Sequence, residues 1–205
     1  MKINAVITPK KLNIKENTLS KNKITVTTFL IMILGIIFGA VFYNFAHSEL
    51  KNNLEIAFRS FNDDFINKSK PEILSGLLLT ALVYIVLVFL FSTSVIGAPF
   101  IYSLTFFKLL GLGTLVSYIY SSYGLKGVEY CILILLPGKF FMILGSLILT
   151  DSSVYFSRSI RKISDNNKAE LKKQFAIFII VLIIFTVSVA VDYFTLIFFS
   201  DLFSF

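Results

Sequence analysis

Between residues 92 and 113 the chain reads STSVIGAPFIYSLTFFKLLGLG. Two long apolar runs meet there at Gly97-Ala98-Pro99, and a lysine, Lys108, follows inside the second run. Proline cannot donate a backbone N–H, and it pushes the residue before it out of the helical region. A break this short and uncharged makes the flanking runs a helical hairpin. Runs this apolar place that hairpin in lipid, where a helix satisfies its own backbone.

Three further apolar runs accompany the hairpin. The five candidate spans cover about residues 24–46, 73–96, 99–120, 128–150 and 175–199, each close to the roughly 20 residues that a bilayer requires. With 56% hydrophobic residues and a mean hydropathy of +0.83, a water-soluble domain is excluded. The expected fold is all-α: a polytopic membrane helical bundle of about five transmembrane helices plus one extracytoplasmic amphipathic helix. Residues 1–23 read as a cytoplasmic basic tail and 24–200 as a single transmembrane domain. The first run is longer than the roughly 7–15 apolar residues of a signal peptide and lacks a small-residue cleavage site, so it reads as a retained helix. Phe is abundant (23 residues) and Trp absent, which leaves Tyr as the main interfacial anchor.

The net charge of +7 does not point to nucleic acid. Basic residues concentrate in the tail and in the loop 151–173, as on the cytoplasmic side of a membrane protein. With the N-terminus inside, cytoplasmic segments carry 12 Lys and Arg against 5 outside. The expected placement is a multi-pass bacterial cell-membrane protein, N-terminus cytoplasmic and C-terminus extracytoplasmic, with the lipid bilayer as its first partner. The outer segment 47–72 repeats Leu50, Leu54, Phe58, Phe61 and Phe65 at helical spacing among Glu55, Arg59 and Asp63. Such an amphipathic helix either lies on the bilayer surface or docks a partner through Leu54, Glu55, Phe58, Arg59, Phe61, Asp63 and Phe65.

Small residues mark expected helix packing: Gly35 and Gly39 four apart on one face, with Gly97, Pro99, Gly111 and Gly113 around the hairpin. Three charged residues fall well inside the spans, away from their ends: Lys108, Lys139 and Asp192. Charges there cost about 2.5–3.5 kcal/mol each on insertion scales and are functional suspects. At about 1.5 Å per residue both lysines lie roughly 13–18 Å from the cytoplasmic face. Asp192 falls near the outer face, too far for an ion pair, which leaves two unbalanced cations. Either they snorkel to the interface, or they face a wet crevice and meet a lipid phosphate, an anionic ligand or a partner's carboxylate. Pro137-Gly138 before Lys139 predicts a kink, and the lone Cys131 reads as a small core residue. With one His and one Cys, and no paired carboxylates or phosphate-binding loop, the chain reads as a non-enzyme with no catalytic residues, cofactor or metal.

The whole pattern resembles the stage II sporulation protein M family of bacterial integral membrane proteins. The resemblance rests on GIIFGAVFYN (Gly35 to Asn44), on SVIGAPFIYSLTFFKLLGLGTLVSYI (Ser94 to Ile119), on LLPGKFF, and on the late acid in SVAVDYFTL. Many relatives carry a P-H-G or P-Q-N type sequence where this chain has Pro137-Gly138-Lys139. The resemblance implies a non-catalytic scaffold that recruits or anchors peptidoglycan-degrading partners, the stage II proteins D and P, during engulfment in endospore formation. The runner-up from the residues is an integral membrane subunit of a transporter or permease working with a cytoplasmic ATPase, with Lys108 and Lys139 lining a path for an anionic solute.

Overall fold

The computed structural model describes residues 10–67, 70–159 and 167–199, with side-chain surroundings at 22–57, 60, 72, 74–159 and 171–198. The described residues form helices α1 (Lys10–Phe45), α2 (Ser48–Asn67), α3 (Lys70–Ser92), α4 (Gly97–Tyr130), a π-helical turn (Cys131–Leu135), α5 (Leu136–Ser159) and α6 (Asn167–Phe199). The all-α membrane-type bundle anticipated from the sequence is the observed fold class. Several helices overrun the apolar spans, α6 among them, which starts at Asn167. α1 begins at Lys10 because Lys, Leu and Glu are good helix formers, and α5 continues to Ser159, into the segment read as a basic loop.

Among the described residues, four helical stretches are long and apolar enough to cross a membrane: Asn22–Phe45, Leu74–Ser92, Gly97–Ser159 and Leu171–Phe198. The third, at 63 residues, is about three times the length one crossing requires. It is folded in two. Gly124 has φ 57 and ψ −130, a conformation open essentially to glycine alone. Beyond it, Gly127 comes back against the Ile119 carbonyl, and the Thr105 and Thr150 hydroxyls meet at 2.8 Å. Residues 97–123 therefore form one arm, and residues 125–159 return antiparallel to it.

The arms interlock in a consistent direction. α1 runs parallel to the first arm of α4, with Gly35 opposite Phe106 and Gly39 opposite Leu110. α3 runs antiparallel to that arm, pairing Tyr84 with Thr105 and stacking Phe91 on Phe100. α6 returns antiparallel to α5, from Gln174 beside Ser153 to Asp192 beside Lys139. At the α3–α4 break, Gly97 sits on the Phe91 carbonyl where a side chain would overlap. Pro99 falls in the first turn of α4, where a missing N–H costs no helical bond.

Two apolar clusters fill the interior. One centres on Val88, Ile101, Leu149, Val154 and Val181. The other, at the α2 end, gathers Tyr43, Tyr118, Ile119, Tyr130, Ile134 and Leu196, with Leu54 of α2 packed on it. Outward faces carry exposed Phe29, Ile37, Val83, Phe107, Phe140 and Ile183. Apolar residues on the outside of a packed bundle are what lipid, not water, covers.

Candidate functional site: a charged cavity inside the bundle

The α5–α6 pair is built around a defect. Pro137 cannot donate to the preceding turn, and the helix absorbs this as the π-helical turn Cys131–Leu135. α6 supplies hydroxyls to carbonyls of this region: Thr195 Oγ1 donates to Ile134 O at 3.1 Å and Ser188 Oγ to Gly138 O at 2.8 Å. Gly138 has no side chain, and Asp192 occupies the space that a Cβ would fill. The carboxylate thereby reaches the next residue, and Lys139 Nζ lies 2.7 Å from Asp192 Oδ2.

This ion pair corrects the depth count, which left both lysines without an acid at their level. The count assumed that the ends of the spans are flush. In the structure the turn at Gly124 lies beyond the level reached by the described residues of α6. Asp192 pairs with Lys139, and by the same antiparallel register Phe199 falls near residue 131. Asp192 is therefore an interior group, with its side chain only 11% exposed. Lys139 does not snorkel; its ammonium is held within the bundle.

Lys108 is the second departure. Its Nζ is buried without a hydrogen-bond partner, 3.6 Å from the Tyr84 ring centroid and 4.1 Å from that of Phe185. Two aromatic faces stabilise a desolvated cation by about 2 kcal/mol or more, but they satisfy none of its three N–H donors. Tyr84 is fixed in turn by the Thr105 hydroxyl at 3.1 Å, itself bonded to Ile101 O and to Thr150. Tyr84 and Gly138 are the site residues that sequence reasoning missed. A signal for Tyr84 was present: a phenol in the middle of an apolar span needs a buried partner, and Thr105 and Thr150 are such partners.

Two adjoining cavities flank the charges. One of about 320 Å³ lies toward α2, lined by Leu54, Leu77, Leu115, Ile134 and Leu196, with Lys139 and Asp192 also in its wall. The other, about 260 Å³, is lined by Tyr84, Lys108, Lys139, Phe185, Ser188 and Asp192. Leu77, Lys139 and Asp192 belong to both.

The other residues singled out by the sequence fall elsewhere. Gly35, Gly39 and Gly113 line the α1–α4 contact, where Gly113 meets the Ile36 carbonyl and Thr114 Oγ1 donates to Gly39 O at 3.2 Å. Gly111 departs from its expected packing role, since nothing lies within 4 Å of a Cβ built there; it faces away from α1, off the register of Gly113. Pro99 is exposed in the first turn of α4 and shapes the helix start. Leu54 packs on the tyrosine cluster and Glu55 is half-buried. The side chains of Phe58, Arg59, Phe61, Asp63 and Phe65 lie outside the described residues. Cys131 is a half-buried free thiol in the π-helical turn.

Fold and site together define an integral membrane helical bundle with a charged interior. A family model, Stage II sporulation protein M, matches residues 28–195. The chain belongs to that family of sporulation-related membrane proteins. No curated protein and no solved structure matches it.

Proposed function

We propose that this protein is a non-catalytic membrane scaffold that recruits or anchors peptidoglycan-degrading partners, of the stage II D and P type, during septal membrane migration in endospore formation. Family membership across most of the chain is the observation that carries the reading. The N-terminus is cytoplasmic, supported by the excess of Lys and Arg in the tail and in the α5–α6 connection. The α2 end is then extracytoplasmic and is the docking end.

The shape of that end supports this. α2 is held by Leu54 on the tyrosine cluster and by Lys51 Nζ, which donates to the Asn44 carbonyl at 3.4 Å. Around it stand the two most exposed large apolar side chains among the described residues, Phe45 (85%) and Leu125 (81%), with Ile56 at 61%. Exposed apolar groups beside a lightly packed amphipathic helix suit a protein contact. Affinity purification of the tagged chain from mild-detergent membranes tests the reading. Cell-wall hydrolases with extracytoplasmic domains should co-purify, and Ile56→Ser with Leu125→Ser should reduce their recovery at unchanged membrane level. A cytoplasmic ATPase in their place would favour the transporter-subunit reading, for which the lysine-lined cavity is the supporting observation.

A further inference from the structure

The two joined cavities have complementary linings that no helix-packing role requires. The chamber toward α2 is lined mainly by apolar side chains of α2, α3, α4, the π-helical turn and α6, with Tyr118, Tyr130 and the ion pair also in its wall. Its 320 Å³ is within the range of small-molecule sites, roughly 300–1,000 Å³. The deeper chamber is cationic. Among its described lining residues the charges are Lys108, Lys139 and Asp192, a surplus of one positive charge. Its other polar groups are committed: Tyr84 to Thr105, Ser188 to the Gly138 carbonyl, and Thr80 to the Leu77 carbonyl. Among the described residues, only Lys108 has a buried ammonium with no hydrogen-bond acceptor.

A buried polar group left without its bonds is costly, and a charged one more so. An inorganic anion at Lys108 would supply acceptors and neutralise the surplus, but would leave the apolar chamber empty. An uncharged lipid would fill that chamber and leave the ammonium unanswered. We propose that the joined cavities bind a single-chain amphiphile with an anionic head, a phosphate or carboxylate, the head between Lys108 and Lys139 and the chain in the apolar chamber beneath α2. Lys108 is the charge-reading residue. Lys139 is held in place by Asp192, and Gly138 makes room for that bond. The binding site stands independently of the scaffold reading.

The test uses the full chain in phosphatidylcholine nanodiscs, with radiolabelled dodecyl phosphate as probe and protein-free nanodiscs as the partition background. Saturable binding of one probe per chain is expected, with little competition from dodecanol or from inorganic phosphate. Lys108→Met keeps an unbranched side chain one atom shorter and removes its charge. It should weaken binding about 10- to 100-fold, the equivalent of one hydrogen bond to a charged group. If that variant fails to insert, Lys108→Gln carries the same expectation. Dodecanoate as the stronger competitor would identify a fatty acid, and as the weaker a lipid phosphate; both outcomes support the site. Absence of saturable binding, equal competition by dodecanol or by inorganic phosphate, or unchanged affinity in the inserted Lys108 variant would overturn it.

Discussion

At the scale of single residues, the interior is governed by how charge is kept in a medium that cannot solvate it. Lys139 and Asp192 answer each other at 2.7 Å, so removing one strands the other. Lys139→Met or Asp192→Leu alone should each cost about 3–5 kcal/mol, whereas the double variant should recover most of the loss. Reversible unfolding in mixed micelles measures this cycle, and additive losses would show that the pair is not coupled. Gly138→Ala should act on the same bond from a neighbouring position, because its methyl group takes the place of the carboxylate. A loss of about 3 kcal/mol, at the upper end of overpacking costs, is expected; Gly111→Ala, with open space beside it, should be close to neutral. The three intramembrane charges were legible as unusual residues, but their partnership was not. It depends on the register of α6 against α5, a tertiary offset that counting along each span does not contain.

At the scale of elements, two glycine devices set the architecture. The α1–α4 contact brings backbones together at Gly35, Gly39 and Gly113, so hydroxyls such as Thr114 reach across to the opposite backbone. In lipid, such close approach replaces the hydrophobic effect as the source of association. Gly39→Ile should separate the two helices and lower the folded fraction in membranes, read by protease resistance, with little change in insertion. The second device is Gly124, where a Cβ would meet open space but the backbone stands at φ 57. Gly124→Ala should therefore cost about 1–3 kcal/mol through conformation alone. The Gly124 turn was readable as the short gap between the spans at about 99–120 and 128–150, and Gly35/Gly39 as a packing motif. The π-helical turn was legible only as a kink at Pro137, since sequence does not say whether a proline bends a helix or widens it. The extension of α1 to Lys10 was missed because low hydropathy was read as absence of helix.

At the scale of the whole molecule, Tyr102 and Tyr120 stand about 27 Å apart along α4 at about 1.5 Å per residue, near the roughly 30 Å of a hydrocarbon core. Lys108 then lies about 9 Å inside one boundary and 18 Å from the other, deep in the bilayer yet facing the interior cavity. The composition and span pattern made the membrane bundle legible without tertiary information, because the solvent constraint acts on every residue. The docking end was not legible in the same way, since the exposure of Phe45 and Leu125 follows from how the arms end. The proposed function has this α2 end meet extracytoplasmic cell-wall hydrolases. Its most direct test is a photo-crosslinking residue placed at Ile56 or Leu125 in sporulating cells, with Val26 as the control at the opposite end. Adducts to a peptidoglycan-degrading protein from Ile56 or Leu125, and none from Val26, are the predicted result. Adducts to a cytoplasmic protein from those positions would contradict both the orientation and the scaffold.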